Sequence, residues 1–216
     1  MKKIFVFHLL LSLVLTANAQ NEFCSEIKAI VLDSTSPYFY PILLEKANKN
    51  PENIDIMDCY YLYYGQLFQA NYQLLSFIAN PERREFDKAS IKEQCNKVIQ
   101  IGKLILGRNP VELTTLLHTT VCIEKQKNYI DSEYITQRFR NLLAAIFMTG
   151  DGKTKETAIK IANVEDDYVL KGVLGFLGGK ESLLIEGNHS YSVWSKGNDQ
   201  LYFEDIFVLM EMKIPE

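Results

Sequence analysis

His118 and His189 are the only histidines beyond residue 8, and imidazole is the side chain best suited to moving a proton near neutral pH. His118 and Cys122 stand four residues apart, which on a helix puts both on one face, the closeness that a cysteine-histidine dyad needs. A nucleophilic thiolate also requires an electropositive setting. Glu124 is the nearest charge in the chain before Lys125, so the pair reads as structural. His189 adjoins Ser190, and Asp166 and Asp167 complete a serine, histidine and acid trio on paper. No Gly-x-Ser-x-Gly elbow is present to expose a serine to a base, and the trio therefore carries no hydrolytic prediction.

Gly150-Asp151-Gly152-Lys153-Thr154 ends like a phosphate-binding loop. That loop needs a further glycine where Phe147 stands, so the cradle of backbone amides cannot form. A calcium loop fails as well, because Asp151 lacks carboxylates at the alternate positions and a closing glutamate in register. Two histidines and four scattered cysteines show no paired ligand spacing such as Cys-x-x-Cys. The sequence thus predicts no catalytic residue, no metal and no cofactor.

The densest local feature is aromatic. Tyr60, Tyr61, Tyr63 and Tyr64 ring one predicted helix, followed by Phe68 and Tyr72, with Tyr38, Phe39 and Tyr40 just upstream. A helix that is aromatic all round is usually buried on several sides. The functional alternative is a rigid amphipathic platform with hydroxyl handles, suited to stacking on a sugar or gripping a peptide. Trp194, the only tryptophan, alternates with Tyr191 and Val193, so it faces the other side of its strand and is expected at the junction with the helices.

These residues have to be positioned by about six helices and a small sheet. Phe23, Ile27, Ile30 and Val31 predict a first helix, Tyr38 to Asn48 a second and Ile54 to Tyr72 a third. Ile91, Cys95, Val98, Gly102 and Ile105 recur at helical steps, with Ser90 and Glu93 as a capping box and Gly107 as the stop. Asn109-Pro110 opens a helix that runs to about Lys127, and another follows from Asp131 with Ile135, Phe139, Leu142, Leu143 and Ile146 inward. Asn-Pro recurs at 50, 80 and 109, close to the period of helix-turn-helix solenoids. After Gly150-Asp151-Gly152 the pattern changes. Thr157 to Val164 alternates like a strand, Glu165 to Phe176 reads as a helix with acids at its N-terminal end, and Ser182 to Glu186, Tyr191 to Ser195 and Leu201 to Met210 form a three-strand meander. The predicted fold is α+β and mainly α: antiparallel, tetratricopeptide-like helix pairs over 20–149, then a small α+β unit with an antiparallel sheet over 150–216.

The first residues read as an address. Lys2 and Lys3, the apolar run Ile4 to Leu15 and Ala17-Asn18-Ala19 have the order of a signal peptide, with cleavage expected between Ala19 and Gln20. The run is about a dozen residues where a bilayer needs roughly twenty, so no transmembrane segment is expected in the mature chain. Asn21-Glu22-Phe23 before Cys24 does not read as a lipid-anchoring signal. Loss of two lysines moves the net charge from −4 to −6. An acidic chain with no evident basic stripe is a poor partner for nucleic acid. Hydrophobic residues make up 47% of the chain, enough for a real core. Four cysteines, Cys24, Cys59, Cys95 and Cys122, leave three pairings open, or buried thiols, in a compartment where disulfides persist.

Ser36-Pro37-Tyr38-Phe39-Tyr40-Pro41, Leu62-Tyr63-Tyr64-Gly65, the Asn109-Pro110 start, Gly150-Asp151-Gly152, Asp166-Asp167-Tyr168 and Leu201-Tyr202-Phe203 together resemble the domain-of-unknown-function family numbered 4919. Asp166-Asp167-Tyr168 stands where that family tends to read Asp-Glu-Tyr. The resemblance implies a secreted protein of Bacteroidetes with a helix-rich front half, periplasmic or released, and supplies no activity. The expected function is a non-enzymatic module that binds a protein or peptide in the cell envelope, since stacked helices build extended concave surfaces. The alternatives are an envelope hydrolase with dispersed catalytic groups and a glycan-binding protein using the tyrosines.

Overall fold

A computed structural model describes residues 22–70, 72, 81–127 and 133–206. The expected signal peptide and its cleavage point between Ala19 and Gln20 lie outside the described residues, as does the end of the last predicted strand. Helix α1 spans 22–32. It is followed by α2 (Tyr40–Lys49), a 3-10 turn (Pro51–Asn53), α3 (Ile56–Gly65) and a second 3-10 turn (Gln66–Phe68). Then come α4 (Pro81–Ile91), α5 (Cys95–Arg108), α6 (Leu113–Gln126) and α7 (Glu133–Phe147). The C-terminal part contains β1 (Ile159–Ile161), α8 (Asp166–Val173), β2 (Lys180–Glu186), β3 (His189–Lys196) and β4 (Asp199–Asp205). The α+β, mainly α class read from the sequence is the observed one.

Local chemistry explains most starts. Asp55 and Asp58 close a reciprocal capping box on α3, satisfying amides that the first turn leaves without partners. Glu112, rather than Asn109, caps α6 by accepting from the Thr115 amide at 2.8 Å. Asn109 accepts from the Val111 amide one turn earlier. The Asn-Pro steps do fall at helix junctions: Asn50 ends α2, Pro81 opens α4 and Asn109 ends α5.

The predicted capping box at Ser90 and Glu93 does not form. Helix α4 runs on to Ile91, so Ser90 lies in its last turn and donates to the Phe86 carbonyl at 3.0 Å, while Glu93 turns the chain at φ 51°. Ile91 is 83% exposed. The apolar repeat that began at Ile91 had crossed from one helix into the next.

Helices α4 to α7 pack each on its successor, and α3 packs on α7. That last contact joins elements far apart in the chain, which nearest-neighbour stacking in a solenoid does not supply. Gly102 sits where α5 crosses α6 and α4; a methyl group there would run into Thr119 Oγ1 and lie 3.3 Å from the Phe86 ring. Gly102→Ala is expected to lower stability by about 1–2 kcal/mol, overpacking outweighing the gain in helix propensity. A urea midpoint equal to that of the wild type would show that the helices can part at no cost.

The sheet has the order β1-β4-β3-β2. Strands β2, β3 and β4 form the expected antiparallel meander, but β1 runs parallel to β4, with Ile159 opposite Phe203. The sheet is therefore mixed rather than wholly antiparallel, because β1, at the edge away from β2, runs in the same direction as β4. Gly187 and Gly197 take positive φ at the first central position of the two hairpin turns, which fixes both two-residue connections. One continuous core holds helical residues such as Leu62, Leu116 and Leu142 together with Ile159, Trp194 and Phe203 of the sheet.

Candidate functional site

The tyrosine cluster divides. Tyr63 and Tyr64 have no exposed surface, and their hydroxyls are committed: Tyr63 donates to Asp166 Oδ2 at 2.5 Å and Tyr64 to the Lys160 carbonyl at 3.0 Å. Both bind the helices to the segment around β1. Tyr60 and Tyr61 are half-buried, Tyr61 stacking on Tyr38 at 4.3 Å and Tyr60 meeting Phe23 edge-on. Of these four tyrosines only the outer pair keeps any surface for a ligand, and the half-buried Tyr38 adjoins it.

The residues tested for acid-base chemistry do not converge. Cys122 is joined to Cys95 in a disulfide, which resolves the open pairing and leaves His118 without a thiol. His118 is half-buried edge-on to Phe86, and burial holds its imidazole below the usual value. Burial pushes the Cys59 thiol up to about 12, so it stays protonated. His189 bonds through Nδ1 to Glu204 at 2.6 Å, and Lys160 reaches the other oxygen of that carboxylate at 2.8 Å. Ser190, one residue on, points to the opposite side of β3 and donates to Asp205. The serine, histidine and acid named from the sequence thus have three separate sets of partners.

What the fold does bring together is a polar and aromatic cluster on the face of the sheet that carries Ser190, Ser192 and Trp194. Asp167, in the first turn of α8, accepts from Ser192 Oγ and from Trp194 Nε1, each at 2.8 Å. Ser192 Oγ also lies 3.1 Å from Glu181, and Tyr168 donates to the second oxygen of Glu181 at 2.7 Å. Tyr168 stands edge-on to Trp194 at 5.0 Å. The Lys171 ammonium lies 3.1 Å above the centre of the Trp194 ring and 5.1 Å from that of Tyr168, a cation-π arrangement.

Carboxyl groups outnumber the Lys171 ammonium on this face. Burial raises the carboxyl of Asp167 and pushes that of Asp205 up to about 7. Oδ1 of Asp167 is buried with no hydrogen-bond partner among the described residues. Glu181, Leu183 and Ile185 of β2 stand opposite Trp194, Ser192 and Ser190 of β3, so the carboxylates continue into an apolar pair at the sheet edge. Leu183 and Ile185 are 68% and 63% exposed. The sequence places Asp166 and Asp167 at a helix N-terminus and Trp194 at the junction with the helices. Both placements hold, but neither announces that Asp167 and Trp194 would meet Glu181.

Among the described residues no group of His, Cys, Asp or Glu is arranged to hold a metal ion, and no helix is long and apolar enough to cross a membrane. The expectation of no basic stripe needs one amendment: Arg84, Lys88 and Lys92 line a shallow groove of about 520 Å³ beside α4, where helical spacing aligns the first two. No curated protein and no solved structure matches the chain. Residues 25–211 match the family described as a domain of unknown function, DUF4919. That match covers both the helical part and the sheet with its carboxylate cluster, and the chain belongs to the DUF4919 family.

Proposed function

We propose that this protein is an exported, non-enzymatic interaction module of the cell envelope, and that it takes a protein or peptide partner on the free edge of β2. The observation that carries the reading is that edge. Among the described residues strand β2 ends the sheet and has no further strand on its outer side, and it places Leu183 and Ile185 in solvent. Natural sheets usually shield such an edge, and an unshielded one is the template for strand addition by an extended segment. Exposed Leu174 and Leu177, in the segment leading into β2, enlarge the apolar surface. The Cys95–Cys122 disulfide supports export, since such bonds persist in oxidising compartments.

The glycan reading keeps a narrower basis in Tyr38, Tyr60 and Tyr61. To separate the two, a photo-crosslinking residue is placed at Leu183, at Tyr61 and at Leu104 on α5, in cells that make the protein. The expected result is a discrete protein adduct from position 183 that disappears on adding Ile185→Lys. Adducts from position 61 alone, or none at 183, would overturn the assignment.

A further inference from the structure

We propose that the segment docking on β2 is an extended peptide bearing a lysine or arginine, whose cation is taken by Glu181 and the Tyr168–Trp194 pair in place of Lys171. This inference rests on the β2 edge being the docking surface, and it names the chemistry of the partner there. Three observations converge on it.

The first is charge. Glu181, exposed at the edge of this face, has no ion-pair partner among the described residues; its neighbours are the neutral hydroxyls of Tyr168 and Ser192. Neutral donors satisfy oxygens without cancelling charge, so the face attracts a cation. The second is the buried Asp167 Oδ1, an acceptor site that the fold leaves unfilled. The third is Lys171, which already shows that a primary ammonium fits over Trp194. A ligand ammonium or guanidinium would occupy the same place while Lys171 swings to solvent.

The strand register says where in the peptide the cation belongs. Glu181, Leu183 and Ile185 alternate along one face of β2. In a peptide added as a further strand, the residues beside Leu183 and Ile185 are therefore apolar and the one beside Glu181 is cationic, two positions further along. A lysine or arginine side chain is long enough to lean from the added strand over Glu181 toward Trp194. The segment recognised is thus apolar, any, apolar, any, basic, or the reverse order for the opposite strand direction.

The test uses the chain from Gln20 and capped nonapeptides of alternating threonine and valine in which one valine position near either end is lysine, arginine, norleucine or glutamate. Trp194, the single tryptophan, reports occupancy of the cage by its fluorescence. Lysine and arginine peptides are expected to bind roughly tenfold more tightly than norleucine, and glutamate more weakly than norleucine. Glu181→Gln, which keeps an oxygen for Tyr168, removes that discrimination. Lys171→Ala tightens the lysine peptide about threefold or more, because no resident cation has to be displaced. Equal affinity across the four peptides, or no fluorescence response to any, overturns the inference. The reading of β2 as the docking edge is judged separately: it stands if Leu183→Lys abolishes binding of the norleucine peptide or the photo-adduct, and falls with the cation site if neither depends on Leu183.

Discussion

Alanine at both Cys95 and Cys122 is expected to lower the stability of the folded chain by about 3.5 kcal/mol and its melting temperature by roughly 10 °C. The two cysteines are 27 residues apart in sequence, and a cross-link closing a loop of that length removes a corresponding share of the unfolded chain's freedom. The bond ties α5 to α6 beside Val98, Ile101 and Ile105, and this satellite core of six buried residues is set off from the main one. A small core of that kind gains more from a covalent tie than the large one would. The check is urea unfolding of oxidised wild type, reduced wild type and the double alanine variant. Reduction should reproduce the effect of the substitutions. Midpoints that coincide for all three would mean that the satellite core holds α5 and α6 together unaided.

That disulfide also shows where sequence reading stops. Cys95 belongs to an apolar helical repeat, which marks it as an inward position, and Cys122 lies two helices' length later. Their pairing depends on α5 lying against α6, and chain spacing does not contain that. The same boundary runs through the fold as a whole. Helices α5, α6 and α7 carry regular apolar faces and are legible as helices with their C-terminal ends, though the starts of α5 and α6 fall several residues later than the sequence predicts. Helix α4 was not, because its inward face consists of Arg83, Phe86 and Ala89, and a buried arginine looks polar in a sequence. Arg83 is tolerated there only because Asp87, Glu112 and Glu165 surround it at 2.9, 2.6 and 3.1 Å, two of them contributed by distant elements.

The site was less legible than the fold for a related reason. Asp166 and Asp167 look like ordinary acids at a helix start, favoured by the helix dipole. Their actual partners are Tyr63, 103 residues away, and Trp194, 27 residues away. The tyrosines stood out by density, yet density does not tell a hydroxyl bonded inside the core from one left at the surface. Strand β2 is legible as a strand because the turn sequence Gly187-Asn188 marks its end. That it forms an edge follows from the strand order β1-β4-β3-β2, and order is set by which face each strand can bury.

Raising the pH from about 4 to about 7 is expected to weaken the fold, with Asp205 and Asp166 responsible. Burial holds both carboxyls at about 7 in the folded chain, against an ordinary value near 3.9 when unfolded. Below pH 4 both states keep these protons, and the stability is complete. Between 4 and 7 the unfolded chain releases them while the folded chain retains them, so stability falls as pH rises, by a few kcal/mol per group at most; above about 7 the loss levels off. Asp151, drawn down to about 2 by hydrogen bonds from Thr157 and Lys153, acts only at the acid end of this range. His118, held low by burial, works in the opposite direction, below the ordinary histidine value. Asp205→Asn isolates one contributor, since asparagine still offers an oxygen to Ser190 Oγ but cannot ionise. Urea midpoints at pH 4, 5.5, 7 and 8 should find the variant level with wild type at pH 4 and more stable at pH 8. Parallel curves for the two proteins would mean that Asp205 ionises as readily inside the fold as outside it. The face beside β2 would then be fully anionic at neutral pH at no cost to the fold.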